Sequence, residues 1–143
     1  MSEHEFAFPA DGAVVREVRA KVRESAAKLG ADPSVCDNLA LVVDELVNNA
    51  IEHGADYRKS GHNLVVRMES HGDRLVLEFI DPEMPREQVE DLAAALSETS
   101  NGMPSLDSER GRGLFLLSVY LEQLLVEAQP AGGLRLTGNV LCK

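Results

Sequence analysis

Tryptophan is absent from this 143-residue chain, and two Tyr and four Phe are its only aromatic side chains. The interior must therefore be built mostly from aliphatic groups. Cysteine is nearly as scarce. Cys36 and Cys142 stand alone, without Cys-x-x-Cys or Cys/His clustering, which excludes a disulfide scaffold and fits two free thiols in a reducing, cytoplasmic setting. Basic residues are few, 14 Lys and Arg against 24 Asp and Glu, for a net charge of −10. Phosphate backbones and anionic membranes are bound by clustered Lys and Arg, so neither is the expected main partner. A basic protein surface fits better, although acidity also serves solubility. Long apolar runs are missing too. The longest, around Leu114 to Leu125, is broken by Ser118, Glu122 and Gln123, so no membrane span is expected. Met1 to Ala10 carries neither the basic start nor the apolar centre of a secretory signal.

What is present is a 44% hydrophobic composition. At this length that suits one ordinary domain, residues 1–143, with a sizeable core. No internal repeat or low-complexity tract interrupts it. Glu5 to Phe8 reads as a short strand. A helix follows from Asp11 or Gly12 to about Leu29, with Val14, Val18, Val22 and Leu29 as its apolar stripe and Gly30 as its stop. Glu17 with Lys21 and Glu24 with Lys28 have the spacing of stabilising pairs. Arg16, Arg19 and Arg23 share another side, read as a solvated basic face or as a surface for a protein partner.

The second helix opens with Asp32 as cap and Pro33 at its first position, and stops at Gly54. Its buried side is Leu39, Val42, Val43, Leu46 and Ala50. From Leu64 the period changes to two. Leu64 to Glu69 and Leu75 to Ile80 read as antiparallel strands around His71-Gly72-Asp73. Pro85 to Leu96 is a short helix, and Ser97 to Gly113 a long loop of the kind that usually carries function. Gly113 starts a further helix to about Glu122, and Leu124 to Gln129 with Leu134 to Val140 closes the chain as a hairpin. Helices early and hairpins later indicate an α+β two-layer sandwich, with helices on one face of a mixed, largely antiparallel sheet.

Three segments could build one site. On the polar side of the second helix, Glu45 and Asn49 lie one turn apart and differ by roughly 40° in direction. Glu45 offers a proton acceptor and Asn49 a neutral oxygen suited to Mg²⁺. Asp81 ends an apolar strand, where it can meet a ligand at the rim of the sheet or simply initiate a turn before Pro82. Gly111 and Gly113 lead into a helix, where bare backbone and free N–H groups favour a phosphate.

Glu45-x-x-x-Asn49, the strand-end Asp81 and Gly111-x-Gly113 resemble the N-box and the two glycine boxes of the GHKL (Bergerat-type) ATP-binding fold. The run from Glu45 to Gly54 looks most like that of the RsbW-type anti-sigma factor serine kinases of bacterial partner switching. That resemblance implies sequestration of a sigma factor and Mg-ATP-dependent phosphorylation of a Ser or Thr on an anti-anti-sigma (STAS-type) protein; related proteins often form homodimers. It further implies Glu45 as the catalytic base, Asn49 as the Mg²⁺ ligand, Asp81 as acceptor for the adenine amino group, and Gly111 and Gly113 as phosphate-facing backbone. The first glycine box departs from the family's Asp-x-Gly-x-Gly: here Asp81-Pro82-Glu83-Met84-Pro85 lacks both glycines. The alternative it raises is a non-catalytic or weakly nucleotide-binding partner-binding module on the same fold.

Overall fold

In the computed structural model, residues 3–54, 57–58, 61–100 and 109–143 are described. Strand β1 (Glu3–Phe8) leads through a 3₁₀ turn (Gly12–Val14) into helix α1 (Val15–Lys28), and α2 (Pro33–Gly54) follows. Then come β2 (Leu64–His71), β3 (Arg74–Asp81), α3 (Arg86–Ser100), α4 (Glu109–Tyr120), β4 (Glu122–Ala128) and β5 (Leu134–Leu141). The strands lie in the order β1-β2-β3-β5-β4. Every pairing among the described residues is antiparallel. The mixed character expected of the sheet is therefore corrected: β3 and β5 neighbour each other as antiparallel strands, so no parallel crossover is needed.

Strand alternation decides the two faces of this sheet. One rung crosses all five strands as Phe6, Val66, Phe79, Leu136 and Val126, and it faces the helices. The next rung, Glu5, Arg67, Glu78, Thr137 and Leu125, faces away from them. Leu64, Val66, Met68, Leu75, Leu77 and Phe79 are at most 1% exposed and join Val22, Leu39, Val42 and Val43 in one aliphatic core. The core expected from so few aromatics is thus the one present. On the far face Glu78 lies between two arginines, 2.8 Å from Arg67 Nη2 and 2.8 Å from Arg135 Nη2.

Helix α1 ends as its glycine requires: Gly30 takes φ +99°, open to glycine without strain. Two of its three arginines turn to the neighbouring helix. Arg19 reaches Asp44 at 3.1 Å and Arg23 reaches Asp37 at 3.0 Å, so both stitch α1 to α2. The pairs Glu17–Lys21 and Glu24–Lys28 form at 3.7 and 3.0 Å. Near the end of the chain, Cys142 accepts a hydrogen bond from the Asp32 N–H at 2.8 Å and donates one to the Asp73 carbonyl at 2.9 Å. Both cysteines are free and buried, and burial raises both thiols above their ordinary pKa.

Two boundaries differ from expectation. Ser97 to Gly113 is not wholly a loop, because α3 runs on to Ser100 and α4 begins at Glu109; residues 101–108 lie outside the described residues. Helix α4 ends at Tyr120, before the expected Glu122, because Glu122 pairs with Asn139 at the start of β4.

Candidate functional site

The end of α2 and the end of β3 meet at Asp81. Helix α2 ends at Gly54, whose carbonyl accepts from the backbone N–H of Arg58 at 2.8 Å and, closing a turn, of Tyr57 at 3.2 Å. That turn directs both side chains toward the end of β3. Arg58 then closes on Asp81 as a fork, Nη1 to Oδ1 at 3.0 Å and Nη2 to Oδ2 at 2.8 Å. The Tyr57 hydroxyl donates to Oδ2 at 2.9 Å, and the Glu83 N–H donates to Oδ1 at 3.1 Å.

A carboxylate has about four lone-pair positions in all. Asp81 accepts four hydrogen bonds, two on each oxygen, and it is 0% exposed. Its accepting capacity is full. Arg58 is anchored further by the Ala50 carbonyl at 3.2 Å and by Glu83 Oε2 at 3.4 Å, and its guanidinium stands 5.1 Å from the centre of the Tyr57 ring. Burial pulls the Arg58 pKa down, but the Asp81 hydrogen bonds and charge outweigh it and leave the group above its ordinary value. Burial, then the Asp81 charge and hydrogen bond, push the Tyr57 phenol well up, so it stays a donor.

The residues expected at the first glycine box take other work. Gln123, at φ 54°, is the one non-glycine residue with positive φ among the described residues, so the backbone at Glu83 is unstrained. The Glu83 side chain is 6% exposed and faces Arg58 and, at 3.7 Å, His62. Met84 is core, at 4% exposure. At the first expected glycine position this chain places Glu83, paired with Arg58, and at the second Pro85, with the core residue Met84 between them.

Glu45 and Asn49 are both half-buried on α2, and Asn49 immediately precedes the carbonyl that receives Arg58. Gly111 and Gly113 lie within the first two turns of α4, not at its entry as expected, because the helix already begins at Glu109. Helix α4, which carries Gly111 and Gly113, packs against α2, which carries Glu45 and Asn49. Among the described residues no three His, Cys, Asp or Glu side chains gather as a metal site. Mg²⁺ commonly takes one or two protein ligands with phosphate and water, and Asn49 suits that use. In the conformation described, the carboxylate expected to receive the adenine amino group has no free acceptor position.

Tyr57 and Arg58 escaped the sequence reading. They sit in a polar connection without periodicity, and the one signal was an aromatic and an arginine three and four residues after a helix-ending glycine.

The family model for the histidine kinase-like ATPase domain matches residues 8–137. The chain belongs to that family. Among solved structures, one chain of the SiaB-SiaC complex from Pseudomonas aeruginosa is similar at 18% identity, covering 96% of this chain and 88% of that one, with a TM-score of 0.69. At that identity the likeness is one of fold. No curated protein matches the chain. No helix among the described residues is long and apolar enough to cross a membrane.

Proposed function

We propose that this member of the histidine kinase-like ATPase domain family is a partner-switching regulator of the anti-sigma type, acting by protein binding without phosphate transfer while Arg58 holds Asp81. The saturated carboxylate carries this reading: a base-recognition Asp with four internal donors has nothing to offer a nucleotide. The partners it would bind are a sigma factor and a STAS-type antagonist. Support comes from the −10 charge, which suits a basic surface, and from the similar chain in a complex of two proteins.

A second reading, the Mg-ATP-dependent serine/threonine kinase, is favoured by the intact pair Glu45 and Asn49 on one half-buried side of α2. It assigns Glu45 as base, Asn49 to Mg²⁺, Asp81 to adenine, and Gly111 and Gly113 to phosphate.

The two readings separate in one experiment. The protein is incubated with candidate sigma factors and STAS-type proteins, with and without Mg-ATP, and both complex formation and the mass of the STAS protein are measured. Complexes independent of nucleotide, with no added phosphate, are the expected result. A phosphorylated product that disappears with Glu45→Ala would establish the kinase instead.

A further inference from the structure

Arg58 and Asp81 make a contact that goes beyond stabilising two chain segments. The fork presents two parallel N–H donors to a buried carboxylate, the acceptor that the family reading assigns to the amino group of a base. The guanidinium is the stronger occupant, because it is charged and bidentate where a neutral base gives a single amino donor. Both Tyr57 and Arg58 issue from the turn that closes α2, so one local change of backbone can withdraw both donors together.

We propose that Tyr57 and Arg58 form a built-in competitor for the base-recognition carboxylate, so that an adenine nucleotide binds only in the fraction of molecules where the pair has left Asp81. The inference rests on the family reading of Asp81 as that carboxylate. Apparent affinity then scales with the open fraction, and any change that frees Asp81 tightens binding without adding a contact.

Gly54 supplies an independent handle. It has no side chain, and a Cβ there would lie 2.7 Å from Arg58 Nη2 and 3.0 Å from Nε. Gly54→Ala therefore crowds the guanidinium while leaving its charge and Asp81 untouched. Arg58→Ala removes the charged, bidentate member of the pair, and Asp81→Ala in that background removes the acceptor.

The test is a calorimetric titration with Mg-ATP of the full chain and of these variants, each first checked for cooperative melting. Gly54→Ala keeps the question open to measurement if Arg58→Ala does not fold. The expected outcome is a dissociation constant at least tenfold lower than wild type in Arg58→Ala, a smaller gain in Gly54→Ala, and loss of the gain when Asp81→Ala is added. Equal, measurable affinity in wild type and both folded variants would overturn the competitor while leaving the nucleotide pocket standing. No heat from any folded variant at millimolar nucleotide would overturn both the competitor and the pocket.

Discussion

Gly133 passes the end of β3 so closely that a Cβ on it would lie 2.8 Å from the Asp81 carbonyl oxygen and 2.8 Å from the Pro82 Cα. Its φ of +104° is also a glycine conformation. The β4–β5 turn is therefore seated on the backbone of the candidate site. Gly132, with φ +96°, meets nothing within 4 Å, and the two glycines form a matched pair for experiment. Gly132→Ala is expected to cost about 1–3 kcal/mol through backbone strain alone. Gly133→Ala should cost more in denaturant melts, because backbone atoms cannot yield as a side chain does. Equal losses would mean that the close approach relaxes freely.

Removing the acid from the Arg58–Asp81 pair should be severe. Arg58 is 13% exposed and Asp81 0%, so Asp81→Leu leaves a cation in a poorly hydrated place. A loss of about 3–5 kcal/mol is expected, the usual cost of breaking a buried pair from one side. The double variant Asp81→Leu with Arg58→Met should recover much of that loss, since it removes the stranded charge. A double-mutant cycle with no coupling would show that the fork adds nothing to folding.

Tyr57 makes stability depend on alkaline pH. Its folded pKa lies above the unfolded value of about 10, so the folded protein holds the proton more tightly. That contribution is complete below the unfolded pKa and is lost as pH rises through the folded one. Phenolate absorbance should therefore show one tyrosine ionising late, at or beyond the onset of unfolding. Tyr57→Phe should remove that late component and flatten the alkaline fall in melting temperature.

On the open face of the sheet, Glu78→Ala is expected to cost on the order of 1 kcal/mol, far less than the change at Asp81. Glu78 itself is buried, but Arg67 and Arg135 are 37% and 42% exposed, so both can return to water when their partner goes. The cost should shrink in high salt, where screening weakens what the pair contributed. Urea melts of wild type and variant at two salt concentrations measure this directly.

The large elements were legible in the sequence because each had a local cause. Pro33 and Gly54 bracket α2 as read, and the period-two runs from Leu64 and Leu75 became β2 and β3. Asp81 was placed correctly at the end of an apolar strand. The site's actual occupants were not legible, since Arg58 reaches Asp81 across 23 residues and no local pattern encodes such a pairing. The missing glycines of the first box were visible, but the ion pair that Glu83 makes with Arg58 in place of the first is a fact of packing. Likewise Arg16, Arg19 and Arg23 read as a solvated or partner-binding side, and the pairing of two of them with Asp44 and Asp37 came from α2. Charge counted along one helix omits the helix beside it.

The two hydrogen bonds at Cys142 join the approach to α2 and the hairpin turn between β2 and β3 through one residue. A disturbance of Cys142 is therefore felt at the start of the helix that bears Glu45 and Asn49, the end opposite to the one where Arg58 meets Asp81.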